Sequence, residues 1–157
     1  MIRKATYKDL PFLMEIFQKA KGIMRSSGNM HQWNDNYPSE NIVRSDIDAD
    51  NCIVLCKEDR IIATMAFIPG PDPTYANIEG KWLNDVPYHV IHRIAAIEPG
   101  HKAAETLFDW AFTQTECIRI DTHKDNVIMH HILNRYGFTH CGTIYLESGD
   151  PREAYQK

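Results

Sequence analysis

Residues 88–97, YHVIHRIAAI, and residues 99–110, PGHKAAETLFDW, are the stretch on which the reading of this chain turns. The first is apolar almost throughout, interrupted only by His89, His92 and Arg93. That is the pattern of a central strand covered on both faces. Pro99 and Gly100 end it. Ala104, Leu107, Phe108, Ala111 and Phe112 then recur at helical spacing. A second short strand at residues 117–120 follows, so the two strands are expected to lie parallel with the helix crossing between them.

Working outward, residues 2–5 alternate as a short strand would. Thr6, with Asp9 three residues on, reads as a helix cap. Leu10, Leu13, Met14, Phe17 and Met24 mark a first helix up to about Arg25, with Pro11 in its first turn, where a missing N–H does least harm. Residues 26–38 form a polar, aromatic loop containing His31, Trp33 and Tyr37. Ser39 caps a second helix carrying Ile42, Val43 and Ile47. Residues 52–56 and 60–68 are β-rich runs joined by a tight hairpin at residues 57–60. Gly70, Pro71, Pro73 and Gly80 mark a long irregular connection. Asp125 or Asn126 caps a helix through Ile128, Ile132 and Tyr136, which Gly137 ends. Residues 138–146 and 152–155 close as a hairpin around Ser148, Gly149 and Asp150. The order β-α-α-β-β-β-α-β-α-β-β predicts an α/β protein of the α+β type: a mixed, mostly antiparallel twisted sheet with helices on both faces.

The 157 residues predict one domain over residues 1–157, since domains run to about 100–200 residues. Such a chain buries roughly 68–70% of its unfolded surface and needs no covalent staples. Lys and Arg number 17 against 21 Asp and Glu, a net charge of -4, which argues against nucleic acid as a partner. No apolar run approaches a membrane span, and residues 1–6 lack the apolar core of a secretory signal. The four cysteines, Cys52, Cys56, Cys117 and Cys141, form no CxxC pair. The expectation is a reduced, cytoplasmic protein without nucleic-acid or membrane partners.

With IRKAT at 2–6, HRIAA at 92–96, PGHKAAETLFDW at 99–110, and DTHKDN at 121–126 leading to RYGF at 135–138, the chain resembles the GNAT superfamily of acyl-CoA-dependent N-acyltransferases over nearly its whole length. QWNDNYP at 32–38 and IYLESGDPREAYQK at 144–157 also resemble a group of small bacterial members of undefined substrate. The resemblance implies an N-acetyltransferase that uses acetyl-CoA as co-substrate, with no metal, and a primary amine of a small molecule or peptide as acceptor. It implies that Ile94, Ala95 and Ala96 offer backbone groups to the pantetheine arm, that Asn126 lies near that arm, and that the helix opening at Gly100, His101, Lys102, Ala103 and Ala104 takes the pyrophosphate. The physics agrees, because a helix N-terminus presents unpaired N–H groups to an anion. The loop departs from the family pattern: Ala103 and Ala104 replace glycines, and Glu105 brings a carboxylate. A second reading therefore stays open, a GNAT-fold ligand-binding or regulatory module with weakened or lost CoA binding.

His92 is the candidate general base, because an imidazole titrates near neutrality; the alternative is a core histidine. Arg93 points to the opposite face if the strand is regular. It either orients an acidic group of a substrate or pairs with an internal carboxylate, and the second is favoured. Trp33, Asp35 and Tyr37 lie in the loop that borders the acceptor pocket in the family, with Asp35 placed to attract an ammonium; alternatively Trp33 and Tyr37 anchor the loop to the core. Leu133 stands where many family members carry a general-acid tyrosine, and Tyr136 is three residues later. His123, His130, His131, His140 and Cys141 cluster in sequence without a metal-binding spacing. The open ends of a mixed sheet make a homodimer a further expectation.

Overall fold

The Asp9 carboxylate accepts the Thr6 backbone N–H at 2.8 Å and two hydrogen bonds from Arg3 at 2.8 and 3.0 Å. One acid thus caps the entry to the first helix and ties it to the first strand. In the computed structural model, which describes residues 1–98 and 101–157, β1 (Ile2–Lys4) leads through a 3-10 turn (Tyr7–Asp9) into α1 (Leu10–Ser26), then α2 (Glu40–Asp48). Next come β2 (Cys52–Lys57), β3 (Arg60–Pro69), a 3-10 turn (Pro73–Tyr75), β4 (Glu79–Gly80) and β5 (His89–Ala96). The chain ends with α3 (Lys102–Gln114), β6 (Ile118–Thr122), α4 (Val127–Tyr136), β7 (Thr139–Tyr145) and β8 (Pro151–Gln156).

The strands form one sheet in the order β1-β2-β3-β5-β6-β8-β7-β4. Every neighbouring pair is antiparallel except β5 with β6. This is the mixed, mostly antiparallel sheet expected from the sequence. Glu58 and Asp59 both have positive φ, 52° and 61°, so the β2–β3 hairpin closes with a two-residue turn whose twist suits its strands. The addition is β4, a short strand inside the connection read as irregular. Gly80 and Gly142 let it approach β7: a Cβ on Gly80 would lie 2.2 Å from the Cys141 carbonyl oxygen.

Residues alternate along β2 between two cores. Cys52, Val54 and Cys56 meet α1 and α2 on one face. Ile53 and Leu55 join Leu107, Phe108, Ile132 and Leu133 of α3 and α4 on the other. Beyond the reach of α1, the first face is filled by a smaller cluster of Tyr75, Val90, Ile144 and Ala154.

Strand β5 is the irregular member. It pairs with β6 only at His89–Ile118, Val90–Arg119 and Ile91–Ile120; beyond these the two strands part. On its other side Ala66 pairs with His92 but Thr64 with Ala95, so Arg93 and Ile94 together oppose Met65 in a β-bulge. Arg93 has φ of 51°, a left-handed conformation costing a non-glycine residue about 1–3 kcal/mol. The offset is visible in its partners. The Asp46 carboxylate accepts two hydrogen bonds from Arg93, each 2.8 Å, and the Tyr37 hydroxyl accepts a third at 3.0 Å. Burial opposes the charge, but Asp46 and Tyr37 outweigh it and hold the guanidinium protonated more firmly than in water.

Side-chain exposures of 13% for Arg93 and 12% for Asp46 make this a nearly buried pair. Truncating one partner of such a pair leaves an uncompensated charge and costs about 3–5 kcal/mol. Asp46→Ala should therefore lower the urea-unfolding free energy by roughly that amount, with Arg93→Gly in the same background recovering part of it. A loss below about 1 kcal/mol would show that the bulge does not depend on the pair.

Candidate active site

Where β5 leaves β6, two adjoining cavities open. The first, of about 230 Å³, lies on the α1/α2 face and is lined by Trp33, Asp72, His92, Arg93, Asp121 and Arg152, among others. The second is an apolar slot of about 90 Å³ walled by Ile94, Ala95 and Ala96 of β5, Ala104 and Leu107 of α3, and Ile128, Met129 and Ile132 of α4. Met24, Ile94, Asn126 and Met129 line both. The two therefore meet at the point where the bulge turns β5 away from β6.

His92 stands between two carboxylates. Its Nε2 is 2.9 Å from Asp72 Oδ2, and its Nδ1 is 4.0 Å from Asp121 Oδ2. Asp72 is held by a short Asx turn, its Oδ1 accepting the Thr74 N–H at 2.9 Å and hydroxyl at 2.7 Å. The His92 hydrogen bond, helped by those of Thr74 and opposed by burial, lowers the Asp72 carboxyl to about 2. An ionised Asp72 can only accept, so the shared proton belongs to His92 Nε2, and Nδ1 of a neutral ring carries the lone pair. The Tyr75 hydroxyl donates to Asp121 Oδ2 at 2.6 Å. Complete burial, with the Asp121 charge beside it, pushes the Tyr75 phenol well above its usual value and keeps it a donor.

The residues singled out from the sequence divide into groups. His92, Arg93, Trp33 and Tyr37 all line the first cavity. The bulge defeats the alternation that would have sent Arg93 to the face opposite His92. Its guanidinium is bound to Asp46 and Tyr37, the internal-carboxylate alternative. Trp33 is buried, with edge contacts to Phe17 and Tyr37 at ring separations of 5.9 and 5.8 Å. Asp35, expected to attract an ammonium here, is not among the cavity residues; its side chain is 85% exposed and paired with Arg25 at 2.7 Å. A loop residue's side cannot be read without the turn geometry that aims it.

Ile94, Ala95, Ala96 and Ala104 line the slot. Ala103 faces a neighbouring hollow of about 290 Å³ together with Lys57 and Arg60. His101 and Lys102 stand at the start of α3, and Gly100 lies outside the described residues. Asn126 caps α4, accepting the Met129 N–H at 3.1 Å, while its Nδ2 donates to Gln32 at 2.9 Å. Glu105 pairs with Arg135 at 3.1 Å. Leu133 is fully buried in the core, and the Tyr136 hydroxyl donates to Asp109 at 2.7 Å; neither lines the two cavities.

Sequence reasoning missed Asp72, Tyr75, Asp121 and Arg152. Asp72 is hidden in GPDP at 70–73, where every residue is a turn former. Asp121 opens DTHKDN, whose polar run reads as a loop. Of the histidines clustered in sequence, His130 and His140 both pack against Tyr155: His130 Nδ1 lies 2.6 Å from its hydroxyl and Nε2 3.1 Å from the His123 carbonyl, while His140 pairs with Glu153. Among the described residues no group of three His, Cys, Asp or Glu side chains is arranged to hold a metal ion. No described helix is long and apolar enough to cross a membrane.

The slot fits the arm of a coenzyme A thioester. Its walls are mainly apolar, and among the described residues the edge of β5 from residue 92 onward has no partner strand on the β6 side. An extended chain bearing amides needs both features.

No family model and no curated protein matches the sequence. Solved structures do. An acetyltransferase of the GNAT family from Streptococcus agalactiae superposes with a TM-score of 0.90 at 33% identity, covering 100% of this chain and 94% of that one. A putative acetyltransferase from Staphylococcus aureus gives 0.74 at 23% identity, with 100% and 97% covered. A GNAT-family acetyltransferase from Listeria monocytogenes gives 0.73 at 18%, with 100% and 93% covered. The last two speak to the fold alone. The first, joined to the parted β5 and β6 strands and the slot beside β5, shows that this chain belongs to the GNAT family of acetyltransferases.

Proposed function

We propose that the protein moves an acetyl group from acetyl-CoA to a primary amine of a small molecule or peptide by direct attack. The observation that carries this reading is the junction of the two cavities at Ile94 and Asn126. There an apolar slot beside an unpartnered strand edge meets a chamber holding an imidazole between two carboxylates. Acetyl-CoA, when bound, supplies an activated acetyl thioester. The backbone of Ile94, Ala95 and Ala96 holds the arm, and an N–H from that segment polarises the thioester carbonyl. Asn126 borders the arm. His101, Lys102 and the first-turn N–H groups of Ala103 and Ala104 take the pyrophosphate. The Glu105 charge, which would oppose that anion, is offset by Arg135.

In the acceptor chamber, Asp121 and Asp72 draw a cationic amine. Asp72 fixes the His92 tautomer, and His92 Nδ1 accepts the ammonium proton directly or through water. Trp33 and Tyr37 wall the chamber, and Arg93 holds the bulge that aims Ile94 toward the slot.

Calorimetric titration should give saturable binding of acetyl-CoA and of free CoA. No binding up to millimolar ligand would leave the chain as a ligand-binding module on a GNAT scaffold. His92→Gln should lower kcat by about 10²–10⁴-fold with acetyl-CoA affinity retained; an unchanged kcat would return His92 to a packing role.

Asp72 adds a pH signature. Its carboxyl titrates at about 2, below the ordinary 3.8. An acid depressed in the folded state stabilises fully above its unfolded value and loses that contribution as pH falls through the folded one. Asp72→Asn should be less stable than the wild type at pH ~5, and the two should converge toward pH ~2 in thermal unfolding. Equal stability at the higher pH would mean the ion pair contributes nothing.

A further inference from the structure

Arg152 is the charge in the acceptor chamber that the mechanism above does not use. The residue is only 6% exposed, yet it lines the first cavity. Its Nη1 donates to the Pro151 carbonyl at 2.8 Å and its Nη2 to the Gln32 carbonyl at 3.3 Å. Among the described residues no carboxylate lies within ion-pair distance of it, whereas Arg93 on the same wall is neutralised by Asp46. A guanidinium has five N–H donors in a planar fork, so those two bonds leave donors unspent beside the cavity. Its charge is felt nearby: burial first, and then the Arg152 charge, lower the proton affinity of His123.

The sheet places this cation relative to the amine-binding end. Asp121 of β6 pairs with Ala154 of β8. Arg152 is two residues from Ala154 and shares its face, which is the face of Asp121. Diagonal neighbours of this kind lie roughly 7–8 Å apart between Cα atoms. The chamber therefore carries both signs of charge: Asp72 and Asp121 flank His92, and on the β8 wall stands a guanidinium that meets only backbone carbonyls. Its volume of about 230 Å³ is below the roughly 300–1,000 Å³ of pockets for drug-sized ligands.

We propose that the acceptor is a small amino acid-like molecule carrying a carboxylate as well as the amine, and that Arg152 selects it by binding that carboxylate. The proposal rests on the acetyl-transfer reading of the same cavity and narrows its amine to a zwitterion. The planar fork can hold a carboxylate bidentately, and its single positive charge neutralises a carboxylate fully, whereas a doubly charged phosphate would keep one negative charge unmatched.

The test uses the full chain with acetyl-CoA, reading CoA thiol release. The acceptors are free L-amino acids, their decarboxylated amines (phenylalanine with phenethylamine, leucine with isopentylamine) and the matching aminoalkylphosphonates. The wild type should prefer an amino acid over its decarboxylated partner by about 30-fold or more in kcat/KM, and Arg152→Met should bring that ratio close to one. Arg152→Lys, which keeps the charge but not the fork, should retain part of the preference and guards against a folding defect. Equal use of amines and amino acids by the wild type, an unchanged ratio in Arg152→Met, or preference for the phosphonates would each overturn the proposal while leaving acetyl transfer standing. Calorimetry with the same amino acids separates the two claims if no acetylation occurs. Amino-acid binding lost in Arg152→Met upholds the role of Arg152 even then, and no amino-acid binding by the wild type overturns it.

Discussion

The ladder between β5 and β6 runs for three residue pairs and then stops, and two adjoining cavities open where the strands part. The strands are kept apart by the bulge at Arg93 and Ile94, which adds one residue to β5 and changes its direction against β3. An arginine in the left-handed region would not hold there unaided. The bidentate bond to Asp46, with Tyr37 as third partner, ties the bulge to α2 and to the loop before it. Helix α2 contributes no residue to the acceptor chamber, yet its Asp46 maintains the backbone shape from which His92 and Ile94 project.

Charge in the chamber is distributed unevenly. Arg93 and Asp46 cancel one another. Asp72 and His92 share a proton, with Asp72 lowered enough to stay ionised at any physiological pH and so to fix the tautomer of the ring. Asp121 is oriented by Tyr75, whose burial keeps it protonated. Among the described residues Arg152 has no carboxylate within ion-pair distance and meets only the Pro151 and Gln32 carbonyls. Buried charges that carry no function are normally paired, because an isolated one forfeits its hydration. An unpaired guanidinium beside a cavity is accordingly the feature most readily explained by an anion that arrives from outside.

Belonging to a family fixes a fold and a class of chemistry more firmly than it fixes an acceptor, since sites are grafted onto scaffolds. Here the grafted part is the loop of residues 29–38, the Asx turn at Asp72 and the β7–β8 hairpin. Gln32 ties the loop to the start of α4 and to the hairpin: its Oε1 accepts from Asn29 and Asn126, and its carbonyl accepts from Arg152. The apolar slot, by contrast, is walled mainly by β5, α3 and α4, the elements whose sequence carried the family resemblance, with Ala20, Ile23 and Met24 of α1 and Ala63 of β3 completing it.

By itself the sequence determined the elements and their faces. Apolar spacing placed α1 to α4, Ser39 capped α2 as expected, Asn126 proved to be the cap of α4 from the pair Asp125 and Asn126, Gly137 ended α4 in a left-handed conformation, and the apolar run at residues 88–97, interrupted only by His89, His92 and Arg93, marked the central strand. These are local properties, set by periodicity, capping hydrogen bonds and backbone sterics within a few residues. The tertiary structure alone decided which polar groups meet. The Asp72–His92 contact joins a turn to a strand 20 residues away, the Arg93–Asp46 pair spans 47 residues, and Arg152 reaches Gln32 across 120. No local pattern encodes such encounters. They follow from a bulge that reverses the facing of two side chains and from a sheet order that brings β8 beside β6, both products of how the whole chain closes on its cores.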